Sequence, residues 1–271
     1  MNEPANIFIF TALECEAKVL INFYTLKKDN SSHPFSIYRN DNVILTVTGI
    51  GKVSMAAAVS YALALFSKSK LPILLNMGIA GHKTQAIGTL LMASKVVEAE
   101  SKKVFYPQLI GKGWPETCEV QTTTMPNIEY SHDCLNDMEA SAFYEIAVKF
   151  SSCELIHCLK LVSDNEESSI EQISSKKVVE WLSRHEAKID KVLKQLKQLR
   201  EIMTPIELPE YNQIISKWHF TVSGKVRLKA LLSRWYVLAS SNWLNNKIEY
   251  ANGKMVLRQL AVDIDQLEIK L

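Results

Sequence analysis

Three acidic residues occur where an enzyme could use them. Glu16, Glu139 and Asp164 each follow a short apolar run, so each is expected at the end of a buried strand or at the start of a helix. In an open α/β sheet the carboxyl ends of the strands meet at one edge, and ligand-binding residues gather there. A carboxyl group that is partly removed from water can act as a general acid or base. Together, the three acids indicate an enzyme.

Each acid also has a purely structural interpretation. Glu16 and Glu139 could be first-turn acids, which the helix dipole favours. Asp164 or its neighbour Ser163 could cap a following helix. For any single acid the structural role competes on equal terms with catalysis, and only the three together favour catalysis.

Two glycine-containing segments lie between the acids. Residues 48–52 (Thr-Gly-Ile-Gly-Lys) connect a predicted strand to an Ala-rich helix. Such turns can bind phosphate or ribose through backbone N–H groups, although the spacing here is neither a dinucleotide fingerprint nor a Walker loop. Residues 76–81 are predicted to form a loop at a strand end, where small residues let a flat ligand approach the backbone.

Strands and helices alternate up to about residue 170. The predicted strands are residues 7–10, 43–47, 73–75, 88–93 with 96–97, 120–124 and 155–162, and the predicted helices are 53–66 and 138–150. This alternation predicts an α/β fold with a mostly parallel or mixed central sheet.

Only helices are predicted after residue 170. Apolar residues at alternating spacings of three and four from Leu182 to Met203 predict one long helix that ends at Pro205. Thr221 or Ser223 could cap another helix, and Asn252 precedes a last one. We therefore expect the chain to finish in a helical C-terminal extension.

Composition narrows the class of protein. No apolar run reaches the roughly 18–20 residues of a membrane-spanning helix. The five cysteines are scattered and have neither disulfide-framework nor zinc-site spacing. The first residues lack the features of a secretory signal. We expect a cytoplasmic protein that has no metal, no disulfide and no membrane partner.

Positive charge is concentrated towards the C-terminus. Residues 171–271 carry 17 Lys and Arg against 11 Asp and Glu, a surplus of +6, whereas the rest of the chain sums to −4. A basic tail could bind an acidic partner. Both signs are interleaved, however, which favours ordinary solvated helix faces. The aromatic residues of the tail could suggest nucleic-acid contact, but its basic residues lie opposite an apolar stripe, so packing is preferred and nucleic acid is not expected.

Five ordered segments resemble motifs of the purine nucleoside phosphorylase/nucleosidase superfamily, most closely those of its 5′-methylthioadenosine/S-adenosylhomocysteine nucleosidases. The segments are residues 12–16, 48–53, 76–81, 137–140 and 163–164. The resemblance covers roughly residues 7–203. It implies a three-layer α/β catalytic domain over residues 1–203 with a central mixed sheet, often assembled as a homodimer, and it leaves residues 204–271 unexplained.

The resemblance also implies a role for each acid. Glu16 would activate the water that attacks the anomeric carbon, Glu139 would bind the ribose hydroxyls, and Asp164 would protonate purine N7. Further substrate contacts implied are Met138, Leu13, Ile50, Gly78, Ile79, Ala80, Gly81, Met125 and Ser163. No cofactor or metal is implied.

The expected reaction is hydrolysis of a 5′-modified adenosine, such as 5′-methylthioadenosine, S-adenosylhomocysteine or 5′-deoxyadenosine. Leu13, Ile50 and Met138 would form an apolar pocket for the 5′ group. A phosphate-dependent phosphorylase is the first alternative. Related phosphorylases grip phosphate with several arginines, whereas this chain has only Arg39 before Arg184, and Glu16 would repel the anion.

A second alternative is a nucleoside-binding or regulatory protein that has lost catalysis. The chain departs from the family pattern at several positions. The base-covering segment, residues 122–127, has no aromatic residue, Ile79 replaces a serine and Lys160 replaces an arginine.

Overall fold

The chain divides into two units, residues 1–203 and residues 204–271. The computed structural model describes residues 6–67, 71–127, 129–203, 208–239, 241, 243–246 and 250–267. Each unit has hydrophobic clusters of its own.

A ten-stranded mixed sheet forms the centre of the first unit. Its strands are β1 (Ile7–Thr11), β2 (Lys27–Lys28), β3 (Ser36–Arg39), β4 (Val43–Val47), β5 (Ile73–His82), β6 (Leu90–Glu98), β7 (Val104–Phe105), β8 (Thr117–Thr122), β9 (Leu135–Asp137) and β10 (Ile156–Asp164). Strands β4, β1, β5 and β10 are parallel neighbours in that order. Their carboxyl ends therefore meet at one edge, as expected for an α/β ligand site.

The sheet partly closes on itself around β5. Strand β10 pairs with β5 and also, antiparallel, with β6. Strands β8 and β9 then connect β6 back to β5, where β9 pairs antiparallel. This ring brings the end of β9 alongside the ends of β5 and β10.

Helices cover both faces of the sheet. On β1, Ile7 and Ile9 pack into one hydrophobic cluster and Phe8 and Phe10 into the other, as the two-residue period of a strand requires. The helices of this unit are α1 (Glu14–Phe23), α2 (Lys52–Phe66), α3 (Ala140–Ala147), α4 (Ser175–Ser183) and α5 (Glu186–Met203). Helices α1, α4 and α5 contribute to the first cluster, and α2 and α3 contribute to the second. The predicted layered α/β fold with a mixed sheet is confirmed.

The strand predicted at residues 88–93 with 96–97 is present and corresponds largely to β6. Two other element predictions need correction. Residues 76–81 are the second half of β5 and not a loop. The predicted helix from Leu182 to Met203 is two helices, with the break at Arg184 and His185. There the His185 ring Nε2 lies 2.7 Å from the carbonyl oxygen of Gly88, a tertiary contact that spacing alone does not indicate.

The second unit is helical, as predicted. It contains α6 (Pro209–Lys217), α7 (Val222–Ala239), a 3₁₀ turn (Trp243–Asn246) and α8 (Gly253–Asp265). The suggested Thr221 cap is present, and Asn252 caps the last helix. Thr221 Oγ1 accepts a hydrogen bond from the Gly224 N–H at 3.1 Å, and Asn252 Oδ1 accepts one from the Met255 N–H at 3.1 Å. Leu228 and Leu232 of α7 are buried in the core of this unit.

None of the helices formed by the described residues is both long and apolar enough to cross a membrane.

Candidate active site

A cavity of about 280 Å³ opens at the carboxyl ends of the strands, near the lower end of the range for small-molecule sites. Among the twelve residues that the sequence suggested for a site, ten line it: Leu13, Glu16, Ile50, Ile79, Ala80, Gly81, Met138, Glu139, Ser163 and Asp164. Gly78 lies behind the wall, where an added Cβ would come within 3.1 Å of Glu16 Oε1. Met125 is not part of the cavity lining and is 72% exposed.

Glu16 is buried at the start of α1 and both of its carboxylate oxygens accept backbone hydrogen bonds. Oε2 accepts from the Leu13 N–H at 2.8 Å, which is the first-turn role considered above. Oε1 accepts from the Ile79 N–H at 2.9 Å, which fixes the carboxylate against β5. Burial raises the pKa of Glu16 above its ordinary value, although these N–H donors and nearby Lys160 oppose the shift. A buried carboxylate held in this way can orient a water molecule.

Glu139 lies at the boundary of α3 without capping the helix. Asp137 supplies the cap, because its Oδ2 accepts hydrogen bonds from the Ala140 N–H at 2.8 Å and the Glu139 N–H at 3.3 Å. Glu139 instead reaches the turn before α2, where its Oε1 accepts from the Gly51 N–H at 2.7 Å. Burial, with the Asp137 carboxylate nearby, raises the pKa of Glu139 to about 7.

The glycine turn between β4 and α2 therefore differs from the expected anion-binding turn. Gly51 has a φ of +98°, a conformation that favours glycine, and it directs its N–H to Glu139. The N–H groups of Thr48 and Gly49 donate to the carbonyl oxygens of Thr11 and Ala12. Because these three donors are already bonded within the protein, they do not form an open phosphate cradle.

Lys160 is a fully buried cation beside this group of acids. Its Nζ lies 2.8 Å from Asp137 Oδ2. Burial alone would lower the pKa of Lys160, but the Asp137 and Glu139 carboxylates outweigh burial and raise it above its ordinary value. The ammonium therefore stays charged and compensates part of the negative charge of the site.

Asp164 ends β10, and no helix begins directly after it, so it is not the cap considered above. The Ser163 hydroxyl donates to Oδ1 at 2.5 Å and the Tyr130 hydroxyl donates to Oδ2 at 2.6 Å. A Cβ added at Gly81 would lie 2.5 Å from Asp164 Oδ2 and 3.1 Å from the Tyr130 ring. The absence of a side chain at position 81 thus leaves room for the hydrogen-bonded side chains of Asp164 and Tyr130.

Sequence reasoning missed several residues of this site. Tyr130, Asp137 and Lys160 hold the acids in place, and the further lining residues are Ala12, Thr123, Pro126, Asn127, Asn136, Ile170 and Ile173. Asp137 stood within a motif and could have been considered. Tyr130 lies three residues beyond the segment 122–127, and no local sequence pattern indicates its contact with Asp164.

The described residues that line the cavity include no Lys and no Arg. Their ionisable members are Glu16, Asp137, Glu139 and Asp164, all of them acids. Among the described residues, no group of three or more His, Cys, Asp or Glu side chains is arranged to hold a metal ion. His82 lies outside this lining, and its Nδ1 accepts hydrogen bonds from the Thr84 and Gln85 N–H groups.

Comparisons with known proteins find similarity in structure alone. No protein-family model matches the sequence. A search of curated proteins also finds no match.

Solved structures, in contrast, resemble the chain closely enough to show its fold. One is the apo form of Arabidopsis thaliana 5′-methylthioadenosine nucleosidase, with 15% sequence identity, a TM-score of 0.54, and coverage of 71% of this chain and 96% of the nucleosidase. Another is the S. pneumoniae 5′-methylthioadenosine/S-adenosylhomocysteine nucleosidase with a transition-state inhibitor. It has 17% sequence identity and a TM-score of 0.54, and the match covers 71% of this chain and 99% of that nucleosidase. A third is the Colwellia psychrerythraea enzyme in complex with adenine. It has 18% sequence identity and a TM-score of 0.54, and the match covers 73% of this chain and 96% of that enzyme. The chain has the fold of these nucleosidases, as the resemblance implied.

Proposed function

We propose that residues 1–203 hydrolyse the N-glycosidic bond of a 5′-modified adenosine and release adenine. The observation that carries this proposal is the cavity itself. The buried acids Glu16, Asp137, Glu139 and Asp164 border it, and the rest of its lining is mostly apolar. Cleavage of an N-glycosidic bond develops positive charge on the sugar and negative charge on the leaving base. Preorganised anions near the sugar and an acid near the base stabilise such a transition state.

Each acid has a role that its contacts allow. Glu16 accepts the proton of the attacking water, because burial raises the pKa of its carboxyl group. The two N–H groups hold the carboxylate in position. Glu139, at the start of α3, accepts hydrogen bonds from the ribose hydroxyls. Asp164 donates the proton to the purine, with its carboxyl group oriented by Ser163 and Tyr130.

The lining supports a purine nucleoside that carries an apolar 5′ group. Leu13, Ile50 and Met138, which the sequence suggested for this purpose, all border the cavity, and Ile170 and Ile173 add two further branched apolar side chains. We therefore propose 5′-methylthioadenosine, S-adenosylhomocysteine or 5′-deoxyadenosine as the substrates to test first. The proposed chemistry requires no cofactor.

Hydrolysis is favoured over phosphorolysis by charge. A phosphate ion would enter a cavity whose charged lining residues are all acids, and it would lack the arginine grip that oxyanion sites use. Lys160, the buried cation nearby, is paired with Asp137. The turn before α2 does not offer the N–H groups of Thr48, Gly49 or Gly51.

The test is release of adenine from 5′-methylthioadenosine in reaction buffers with and without phosphate. Chromatography measures the products. We expect adenine and the free sugar in phosphate-free buffer. Asp164→Asn should lower turnover by roughly 10²- to 10⁴-fold, the usual contribution of a general acid, while Asp133→Asn, at an exposed carboxylate, should leave it unchanged.

Three outcomes would redirect the proposal. Strict dependence on phosphate would establish the phosphorylase instead. Tight nucleoside binding without turnover would establish a protein that has lost catalysis. Full activity of Asp164→Asn would remove the assigned leaving-group acid. The homodimer and the cytoplasmic location remain predictions, which sedimentation and cell fractionation would check.

A further inference from the structure

Helix α7 of the second unit has two apolar faces instead of one. Leu228 and Leu232 point into the core of the unit and are fully buried. On the opposite side, Val222, Val226 and Val237 are 83%, 65% and 66% exposed. A helix that only packs on its own domain is expected to carry polar residues on that outer side.

The three exposed valines and two small residues between them lie along one side of α7, which we call the valine face. It consists of Val222, Val226, Ala230, Ser233 and Val237, at successive spacings of four, four, three and four residues. Spacings of three and four place side chains on one side of a helix, and they are the pattern that one helix presents to another. At 1.5 Å per residue the valine face is about 22 Å long. The small side chains at its middle allow a second backbone to approach closely.

Basic residues border the valine face on both sides. On a helical wheel Lys225 and Lys229 lie along one border, and Arg227 and Arg234 lie along the other. All four are exposed, and α7 contains no Asp or Glu. Lys229 Nζ also lies 4.9 Å from the centre of the Tyr211 ring, a contact that fixes the direction of that side chain.

This charge pattern selects among the possible occupants. A second copy of α7 would bring Lys and Arg opposite Lys and Arg, and such like charges at the borders of a helix pair are unfavourable. A membrane-surface helix carries Trp, Phe or Leu on its apolar side, whereas the valine face has only Val, Ala and Ser. A helix with an apolar stripe and acidic borders complements both the shape and the charge.

We propose that the valine face is the docking surface for an acidic amphipathic helix of a partner protein. The inference does not depend on the proposed hydrolase activity, because it uses only residues of the second unit. It gives a function to residues 204–271, which the resemblance to nucleosidases left unexplained. It also agrees with the acidic partner that the surplus of basic residues in the C-terminal part of the chain had suggested.

The experiment uses the full-length chain and two labelled synthetic peptides of three heptads. Both carry Val and Leu at the seam positions; one has Glu at the border positions and the other has Lys. Fluorescence anisotropy should detect binding of the Glu peptide only, with an affinity that falls as salt rises because the bordering charges are screened. Val226→Asp should weaken binding at least tenfold, and Val262→Asp, at an exposed valine of α8, should leave it unchanged.

A charge-reversal variant keeps the result independent of folding. Arg227→Glu combined with Arg234→Glu should weaken the Glu peptide at least tenfold and gain binding of the Lys peptide, which a misfolded unit would not do. Equal binding of both peptides, or of neither, would overturn the proposal. So would binding to phosphatidylserine vesicles in place of the peptide, or self-association that Val226→Asp abolishes, because a membrane or a second copy would then be the occupant.

Discussion

Tyr130 and Ser163 bind the two oxygens of Asp164, so the proposed general acid has a fixed orientation. The Tyr130 ring is buried, and burial raises the pKa of its phenol above the ordinary value, which keeps the hydroxyl protonated as the donor. A catalytic carboxyl group must be placed within hydrogen-bond distance of the atom that it protonates. We therefore regard Tyr130 as a positioning residue of the proposed reaction.

Replacement of Tyr130 tests this role. Tyr130→Phe keeps the ring and removes one hydrogen bond to a carboxylate, a contribution of roughly 1.5–3 kcal/mol. We expect kcat to fall about 10- to 100-fold with little change in KM. Tyr106→Phe is the matched control, because Tyr106 is 60% exposed. Unchanged kcat in Tyr130→Phe would show that the acid does not need this hydrogen bond.

Glu139 makes the stability of the first unit dependent on pH. Its pKa is about 7 in the fold, against an ordinary value of 4.5. As the pH rises from about 4.5 to 7, the unfolded chain loses this proton before the folded protein does. The unfolded state is thereby stabilised relative to the fold, so the free energy of unfolding decreases over this window.

We expect the free energy of unfolding of Glu139→Gln to decrease less over this pH window than that of the wild-type protein. The wild-type protein should lose roughly 1–3 kcal/mol of unfolding free energy between about pH 4.5 and pH 7 through this residue. Denaturant titrations of both proteins across the window measure the difference. Glu145→Gln, at a surface helix position, is the control and should retain the wild-type slope. Identical slopes for wild type and Glu139→Gln would contradict the raised pKa.

At the scale of elements, one buried ion pair connects four parts of the first unit. Asp137 at the end of β9 binds Lys160 of β10, accepts from the Thr122 hydroxyl of β8 at 2.7 Å and caps α3 through the Ala140 N–H. The side chains of Asp137 and Lys160 are 0% and 1% exposed. A buried carboxylate that loses its cation has no access to water, so the pair matters most when it is broken.

Removal of the cation should therefore destabilise the fold strongly. We expect Lys160→Met to lower the free energy of unfolding by about 3–5 kcal/mol, measured by urea denaturation. Adding Asp137→Asn removes the unpaired charge and keeps an acceptor for the cap, so the double variant should recover part of the loss. If the double variant is no more stable than Lys160→Met, the cost does not come from the unpaired carboxylate.

At the scale of the whole molecule, the two units have separate cores. Leu159 belongs to a cluster of the first unit and Leu232 to the cluster of the second, and both are 0% exposed. The proposed hydrolysis uses residues of the first unit, and the proposed docking surface uses residues of the second. A defect in one core should therefore affect mainly the function of its own unit.

Cavity-creating substitutions test this division. Leu159→Ala and Leu232→Ala should each cost about 2–5 kcal/mol of unfolding free energy, because each leaves a void in a packed core. At 25 °C we expect Leu232→Ala to retain adenine release and to weaken binding of the Glu peptide. Loss of adenine release in Leu232→Ala, with the first unit still folded by circular dichroism, would show that the proposed catalysis requires the second unit.

Local sequence determined most of the elements around the site. Buried parallel strands read as continuous apolar runs, so β4 was predicted with its observed bounds. The sequence also predicted that Asp164 ends a strand and that Glu16 lies in the first turn of a helix. Where local propensity and tertiary environment disagree, the prediction was wrong. Glycines in residues 76–81 suggested a loop, but pairing with β10 and β9 keeps this segment in the sheet.

Tertiary structure decided which distant groups hold the acids. The apolar and acidic patterns that mark a strand or a helix start repeat over a few residues and are visible in the sequence. The hydroxyl of Tyr130 on Asp164, the ammonium of Lys160 on Asp137 and the Gly51 N–H on Glu139 join residues far apart along the chain. Such contacts depend on strand order and on where each segment crosses the sheet. A periodic pattern in the sequence does not predict them.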